Sequence, residues 1–255
     1  MLATNSEIRS YYKKEALPTI YCPGCGIGII LKAIISAFKD LNYNHTNTCL
    51  LSGIGCTARS SGYPKYDSIN AIHGRALPIA EGLKKVRPQT NVVVFSGDGD
   101  LVGIGGNHLL HSLRRNNKIT VIMNNNFTFG LTGGQLSPTA PKGTISKTSP
   151  KGSEIEPVDV KSLTTIYKPY FFARGSVVYP DHLSEIIKKA LKYPNFSFVE
   201  VVSVCPTNYY RRLGFKTPSE IYRHLQNKLQ IIEESDDLKP NQLGIIVKRE
   251  KNEEE

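Results

Sequence analysis

The chain has 255 residues, 40% of them hydrophobic and 21% charged, a balance ordinary for a globular protein that can bury a core without covalent staples. No apolar run approaches the roughly 18 to 20 residues needed to cross a bilayer, and the first residues lack the apolar core of a secretory signal, so a membrane is excluded and the cytoplasm is expected. The formal charge of +10 is scattered apart from short groups such as Arg211-Arg212 and Lys84-Lys85; this argues against nucleic acid and leaves a generally basic surface, an acidic partner or an anionic substrate.

Along the chain, strand-like apolar runs alternate with helical periodicities. Helices are predicted over 28–41, 76–86, 105–115 and 182–191, where apolar residues recur at mixed three and four spacing. Strands are predicted over 48–51, 92–95, 119–123 and 197–204, the last rich in β-branched residues. This rhythm belongs to an α/β fold, a mostly parallel sheet flanked by helices, in a single domain over residues 1–232. The segment 127–159 is rich in Gly, Pro, Ser and Thr; a loop that long is functional or disordered. Residues 233–255, ending in KREKNEEE, read as a mobile tail.

The strand 92–95 runs into Gly97-Asp98-Gly99-Asp100. Its glycines permit close backbone approach to a ligand, and free N–H groups in such a turn suit phosphate. Asp98 supplies a hard oxygen of the kind Mg²⁺ takes. After a helix, the strand 119–123 ends in Asn124-Asn125-Asn126. A right-handed βαβ unit makes the two strands parallel, so the asparagines reach the same sheet edge as Asp98, where open α/β sheets bind ligands.

Five cysteines are present, Cys22, Cys25, Cys49, Cys56 and Cys205. An odd number in a cytoplasmic chain argues for metal or redox chemistry over disulfides. Cys22-Pro23-Gly24-Cys25-Gly26 is a C-x-x-C loop with no second copy, which weakens a zinc-ribbon reading, and the preceding KKEALPTI is a poor strand for a thioredoxin-like site. An iron–sulfur cluster needs four thiolates that can be distant in sequence, and Cys56 and Cys205 both follow predicted strands; the residues alone leave cluster and zinc both open. Cys49 lies within a strand and reads as a buried structural thiol.

Gly-Asp-Gly followed after 25 residues by Asn-Asn resembles the thiamine-diphosphate-binding motif. That resemblance implies Mg²⁺ ligation by Asp98, Asn126 and the carbonyl of Thr128, with the diphosphate held by Gly99, Asp100 and the turn Gly130-Leu131. CPGCG, SGIGC, HGRALP and GDGD…NN, in this order across residues 20–215, are similar to the β subunits of 2-oxoacid:ferredoxin oxidoreductases. The resemblance implies one [4Fe–4S] cluster on Cys22, Cys25, Cys56 and Cys205. It makes His73 a cofactor-contacting catalytic residue, where a lone histidine in a turn would otherwise read as structural, and it lines the thiamine site with Ile54, Gly55, Cys56 and Thr57.

The implied reaction is oxidative decarboxylation. The thiamine carbanion attacks a 2-oxoacid, CO₂ leaves, electrons pass through the cluster to ferredoxin, and coenzyme A accepts the acyl group. The carboxylate that activates the aminopyrimidine is expected on a separate α subunit, so this chain alone is expected to be inactive. Gly130-Leu131-Thr132-Gly133-Gly134-Gln135 looks closer to 2-oxoglutarate enzymes than to pyruvate enzymes, although some broad-specificity relatives carry Lys at the position of Gly133. A pyruvate or broad-specificity enzyme, a non-catalytic scaffold with the thiamine fold and a zinc-bound module are the alternatives.

Overall fold

A computed structural model describes residues 3–248. The described residues form ten strands interspersed with helices. The strands are β1 (Thr48–Ser52), β2 (Asp67–Asn70), β3 (Asn91–Gly97), β4 (Ile119–Asn125), β5 (Thr128–Phe129), β6 (Gln135–Leu136), β7 (Tyr170–Ser176), β8 (Ser197–Val202), β9 (Gln230–Glu234) and β10 (Gln242–Lys248). Helices of ten residues or more are α1 (Ile27–Asp40), α2 (Ala76–Val86), α3 (Gly106–Arg115), α4 (Pro180–Lys192) and α5 (Pro218–Lys228). Eight strands form one sheet in the order β2-β1-β3-β4-β8-β7-β10-β9. Its first six are mutually parallel, whereas β10 pairs antiparallel with β7 and carries β9 alongside. This is the predicted fold class. No helix among the described residues is long and apolar enough to cross a membrane.

Side chains of a strand alternate between faces, and two cores result. Leu50, Val93, Phe95, Ile122, Val199 and Val201 point into the core shared with α1 and α4. Leu51, Val92, Val94, Val121, Met123 and Phe198 point into the core shared with α2 and α3. α1 faces the sheet with Ile27, Ile30, Leu31, Ile34, Ile35 and Phe38, an apolar stripe at three and four spacing. Cys49 is buried in the second core, as expected of a structural thiol.

Three features differ from the sequence expectation. Residues 233–248 are not a tail: β10 buries Leu243, Ile245 and Ile246 and is hydrogen-bonded to β7. Residues 249–255 lie outside the described residues. β7 escapes prediction because Arg174 and Gly175 interrupt its apolar run, and α5 because only Ile221 and Leu225 of it are buried. The helical path after Gly97 starts with a π-helical turn over Gly99–Ile104, so α3 is preceded by helix instead of by an open turn.

Arg174 belongs inside because Glu200 faces it across β7 and β8. Arg174 Nε donates to Glu200 Oε2 at 2.7 Å, with the residues only 7% and 5% exposed, and Arg174 Nη1 donates to the Lys239 carbonyl at 2.9 Å. Asn125 Nδ2 donates to the other carboxylate oxygen at 2.7 Å. Arg174→Met leaves a buried carboxylate without its cation and is expected to cost about 3–5 kcal/mol. Urea denaturation checks this; a midpoint within error of wild type would show that the pair carries no such weight.

Candidate functional site

The carboxyl ends of β1, β3, β4 and β8, adjacent in the sheet, meet at one edge. They lead into Gly53–Thr57, Asp98–Asp100, Asn126–Gly130 and Ser203–Thr207 respectively. Two adjoining cavities open there. Ile54, Gly55, Cys56, Thr57, His73, Asp98, Gly99, Asp100, Asn126, Thr128, Gly130 and Leu131 all line the first. Cys22, Cys25, Cys56 and Cys205 all line the second. Cys56, Asn126, Gly130 and Leu131 belong to both walls. The structure thus places on these two walls every residue expected to contact the cofactor, the metal or the cluster.

Asp98 is 2% exposed. Its Oδ2 accepts hydrogen bonds from Ser137 and Thr139 hydroxyls, each at 2.8 Å. Burial pushes its carboxyl up to about 6, opposed by those hydroxyls and by the backbone at Gly99 and Phe127. A carboxylate kept this dry is stabilised by a bound cation, which is the donor chemistry Mg²⁺ asks for.

The three asparagines do different work. Asn124 Nδ2 donates to Thr57 Oγ1 at 2.9 Å. Asn125 is held between Glu200 and Thr139, whose hydroxyl stands 2.8 Å from Asn125 Oδ1. Asn126 alone of the three lines both cavities, its Oδ1 accepting from Thr128 N–H at 3.3 Å. Asp98, Gly99, Asn126 and Thr128 stand together on the wall of the first cavity.

Asp100 lines the first cavity beside Gly99. Its carboxylate does not stand free for a ligand. Oδ1 accepts from Ile54 N–H at 3.2 Å, Gly74 N–H at 2.8 Å and His73 Nδ1 at 2.5 Å, and Oδ2 accepts from Ser96 Oγ at 2.8 Å. What Asp100 can offer a diphosphate is backbone, while its side chain ties together the two turns that wall the cavity. Glycine is required around it: a Cβ on Gly53 would strike the carboxylate, and Gly74 sits at φ +73° against the backbone of Ile104 and Gly105.

All five cysteines are free thiols. Around the second cavity, burial pushes Cys25 up to about 12, with Cys205, Cys56 and Cys22 adding to the rise, and burial likewise raises Cys56. Cys22 Sγ and Cys205 Sγ stand 3.8 and 3.9 Å from the same hydroxyl, that of Thr207. A Cβ on Gly130 would lie 3.5 Å from Cys205 Sγ and 3.7 Å from Cys56 Sγ, so the Gly130 turn packs directly on two of the thiols. Among the described residues no three such donors close on one point as a single ion would require. Four thiols lining a cavity fit a multi-iron cluster, which is larger than one ion and whose positive charge would convert them to thiolates.

The segment 127–159 is ordered. Thr128–Phe129 and Gln135–Leu136 form a hairpin, and Ser137, Thr139, Ala140, Thr144, Ser146 and Ser153 are buried. Sequence reasoning missed Ser96, Ser137, Thr139 and Thr207, since short hydroxyl side chains carry no spacing signal.

Comparison with known proteins adds to this geometry. Residues 53–201 match the family model described as thiamine pyrophosphate enzyme, C-terminal TPP binding domain. The chain is 43% identical over 216 residues to the 2-oxoglutarate synthase subunit KorB of Methanothermobacter thermautotrophicus, covering 85% of this chain and 76% of that one. It is 39% identical to the same subunit of Methanocaldococcus jannaschii, covering 92% and 87%. It is 38% identical to the 2-oxoacid:ferredoxin oxidoreductase 2 subunit beta of Aeropyrum pernix, covering 77% and 63%. Among solved structures, a 2-oxoglutarate:ferredoxin oxidoreductase from Magnetococcus marinus with 2-oxoglutarate, coenzyme A and succinyl-CoA bound superposes with a TM-score of 0.84 at 28% identity, covering 96% of this chain and 85% of that one.

Proposed function

Since the chain belongs to the β subunits of the 2-oxoacid:ferredoxin oxidoreductases, we propose that it joins an α subunit in the cytoplasm to convert 2-oxoglutarate and coenzyme A into succinyl-CoA and CO₂, passing electrons to ferredoxin through a [4Fe–4S] cluster. One observation carries this reading: a cavity with the Asp98, Asn126 and Thr128 donors shares the wall residue Cys56 with a cavity lined by four cysteines. Thiamine diphosphate, when bound, supplies a carbanion that adds to the 2-oxoacid carbonyl and takes up the electron pair left by CO₂.

The chain's own residues do the rest. Asp98, Asn126 and the Thr128 carbonyl would hold Mg²⁺, and backbone at Gly99, Asp100 and the Gly130-Leu131 turn would receive the diphosphate. Ile54, Gly55 and Thr57 close one side of the cavity, and Phe129 stacks edge-on toward His73 with ring centroids 6.1 Å apart. Cys22, Cys25, Cys56 and Cys205 would hold the cluster, and the shared Cys56 makes the electron path short. A ferredoxin of acidic surface would be steered toward a chain of formal charge +10. The later part of the 127–159 segment leaves Ile145, Ile155 and Val158 exposed, which suits contact with the α subunit.

A second carboxylate on the substrate requires a cation. Lys147 Nζ lies 3.5 Å from where a Cβ on Gly133 would be, one residue from Thr132 of the thiamine cavity. The test is turnover by the complex reconstituted with its α subunit. We expect none from this chain alone, faster turnover with 2-oxoglutarate than with pyruvate in the complex, and a loss of about 10-fold in that preference for Lys147→Met, the size of one exposed charge-assisted contact. Faster pyruvate turnover by the unaltered complex would overturn the substrate assignment.

A further inference from the structure

We infer that Asp100 is a positioning residue that holds His73 as its Nδ1–H tautomer and so presents Nε2 as a proton acceptor on the wall of the first cavity. The inference deepens the proposed function and rests on it for its catalytic meaning, although the tautomer stands by itself.

For the neutral ring the geometry leaves one arrangement. Asp100 is buried, and as a carboxylate it can only accept. Two of the donors on it are backbone N–H groups fixed by the chain, those of Ile54 and Gly74. Ser96 is committed as well: its Oγ accepts from Gly53 N–H at 3.3 Å, which leaves its proton for Asp100 Oδ2. His73 Nδ1, 2.5 Å from Oδ1, therefore brings the hydrogen. Free imidazole in water favours the opposite form, with hydrogen on Nε2, so the site selects the less common tautomer through its partner.

Among the described residues Nε2 of His73 makes no hydrogen bond, and the half-buried ring lines the same cavity as Asp98, Thr128 and Phe129. The clamp of Asp100 on the two turns would be complete without an imidazole. The ring adds a donor whose other end is a lone pair facing a ligand site. A proton taken there from a bound reactant forms an imidazolium that keeps its Nδ1–H on Asp100 and has its charge balanced by that carboxylate, the role a carboxylate plays behind a catalytic histidine in other folds.

The experiment reads the tautomer directly in the full chain labelled with ¹⁵N-histidine, by long-range ¹H–¹⁵N correlation at alkaline pH where imidazoles are neutral. His73→Gln assigns the signal, and the exposed His45 serves as the internal Nε2–H reference. His73 is expected as Nδ1–H in the wild-type chain. Asp100→Asn is expected to keep that form, because its amide oxygen can still face the two backbone N–H groups while its nitrogen donates to Ser96 Oγ. Asp100→Ala is expected to return His73 to Nε2–H. In the reconstituted complex kcat should fall about 100-fold in Asp100→Ala, within the range of a lost general base, and by less in Asp100→Asn, which keeps the tautomer and loses only the charge balance. An Nε2–H signal in the wild-type chain overturns the inference, as does an Nδ1–H signal that persists in Asp100→Ala. If the alanine variant does not fold, the wild-type and asparagine spectra still decide. A complex with no 2-oxoacid turnover but with His73 as Nδ1–H would sink the proposed reaction and leave the tautomer assignment intact.

Discussion

Exchanging Cys205 for serine is expected to remove iron and ferredoxin-linked turnover while leaving thiamine diphosphate binding close to wild type. The chain purified without oxygen should carry about four iron and four sulfide. Cys205 lines only the second cavity, so its loss breaks the four-thiol set without touching Asp98, Asn126 or Thr128. Loss of a group that merely orients a metal ligand already costs about 10–100-fold; a direct ligand should reach or pass the upper end, with iron below about one per chain. Cys56→Ser should differ, because Cys56 belongs to both walls and its loss should weaken the cofactor as well as the cluster. Anaerobic metal analysis and thiamine diphosphate titration of both variants check this. Wild-type chain containing zinc in place of iron would end the electron-transfer reading and leave a thiamine protein without a redox path.

Asp98→Asn is expected to have the opposite profile, keeping iron and losing the thiamine cofactor. Binding measured by calorimetry in Mg²⁺ should weaken at least about 100-fold, since the substitution removes the one charged donor of the set, about 2.7 kcal/mol or more by the affinity relation. The folded chain without cofactor should tolerate the change or gain from it. Asp98 is dry and pushed toward its protonated form by burial, so an uncharged amide of the same shape relieves a desolvation cost. Ser137 and Thr139 can accept from the new amide nitrogen, because a hydroxyl both donates and accepts. Unchanged cofactor affinity in Asp98→Asn would sink the metal assignment. A large drop in apo stability would show that Asp98 is held by more than the hydroxyls and backbone groups around it.

The two variants separate the sites because the fold separates them. β1, β3, β4 and β8 are neighbours whose registers run in step: Leu51 pairs with Val94, Gly97 with Asn124, and Asn125 with Val202. Each strand therefore releases its loop at the same height, and four loops meet in one place. The β1 loop, through Cys56, and the β4 loop, through Asn126, Gly130 and Leu131, line both cavities.

Much of this was legible in the residues themselves. GDGD, the asparagine run and SGIGC are short stretches at strand ends, and the parallel βαβ rule alone carries strand ends to a common edge, whereas CPGCG lies just ahead of α1 with no strand before it. The helix over 76–86 coincides with α2, and the predicted strands are found within a residue or two, because continuous apolar runs and periodic stripes are local signals. That Asn126 faces the cavities while Asn124 and Asn125 serve neighbouring side chains was not visible in a run of three identical residues.

What the sequence by itself determined was the set of donors and the sheet edge on which they gather, since both follow from residue type and connection rules. Only the tertiary structure decided which donors are free and which are spent. Asp100, expected beside the diphosphate, is engaged by Ile54, His73, Gly74 and Ser96 from three other stretches of chain. Ser137 and Thr139 reach back 39 and 41 residues to Asp98. The residues over 235–248, charged and tail-like as a string, add β10 to the sheet because β7 presents an open edge and Arg174 needs the Lys239 carbonyl. A hydrogen-bond partner is fixed by distance and direction in the folded chain, and no local pattern of residue types encodes either.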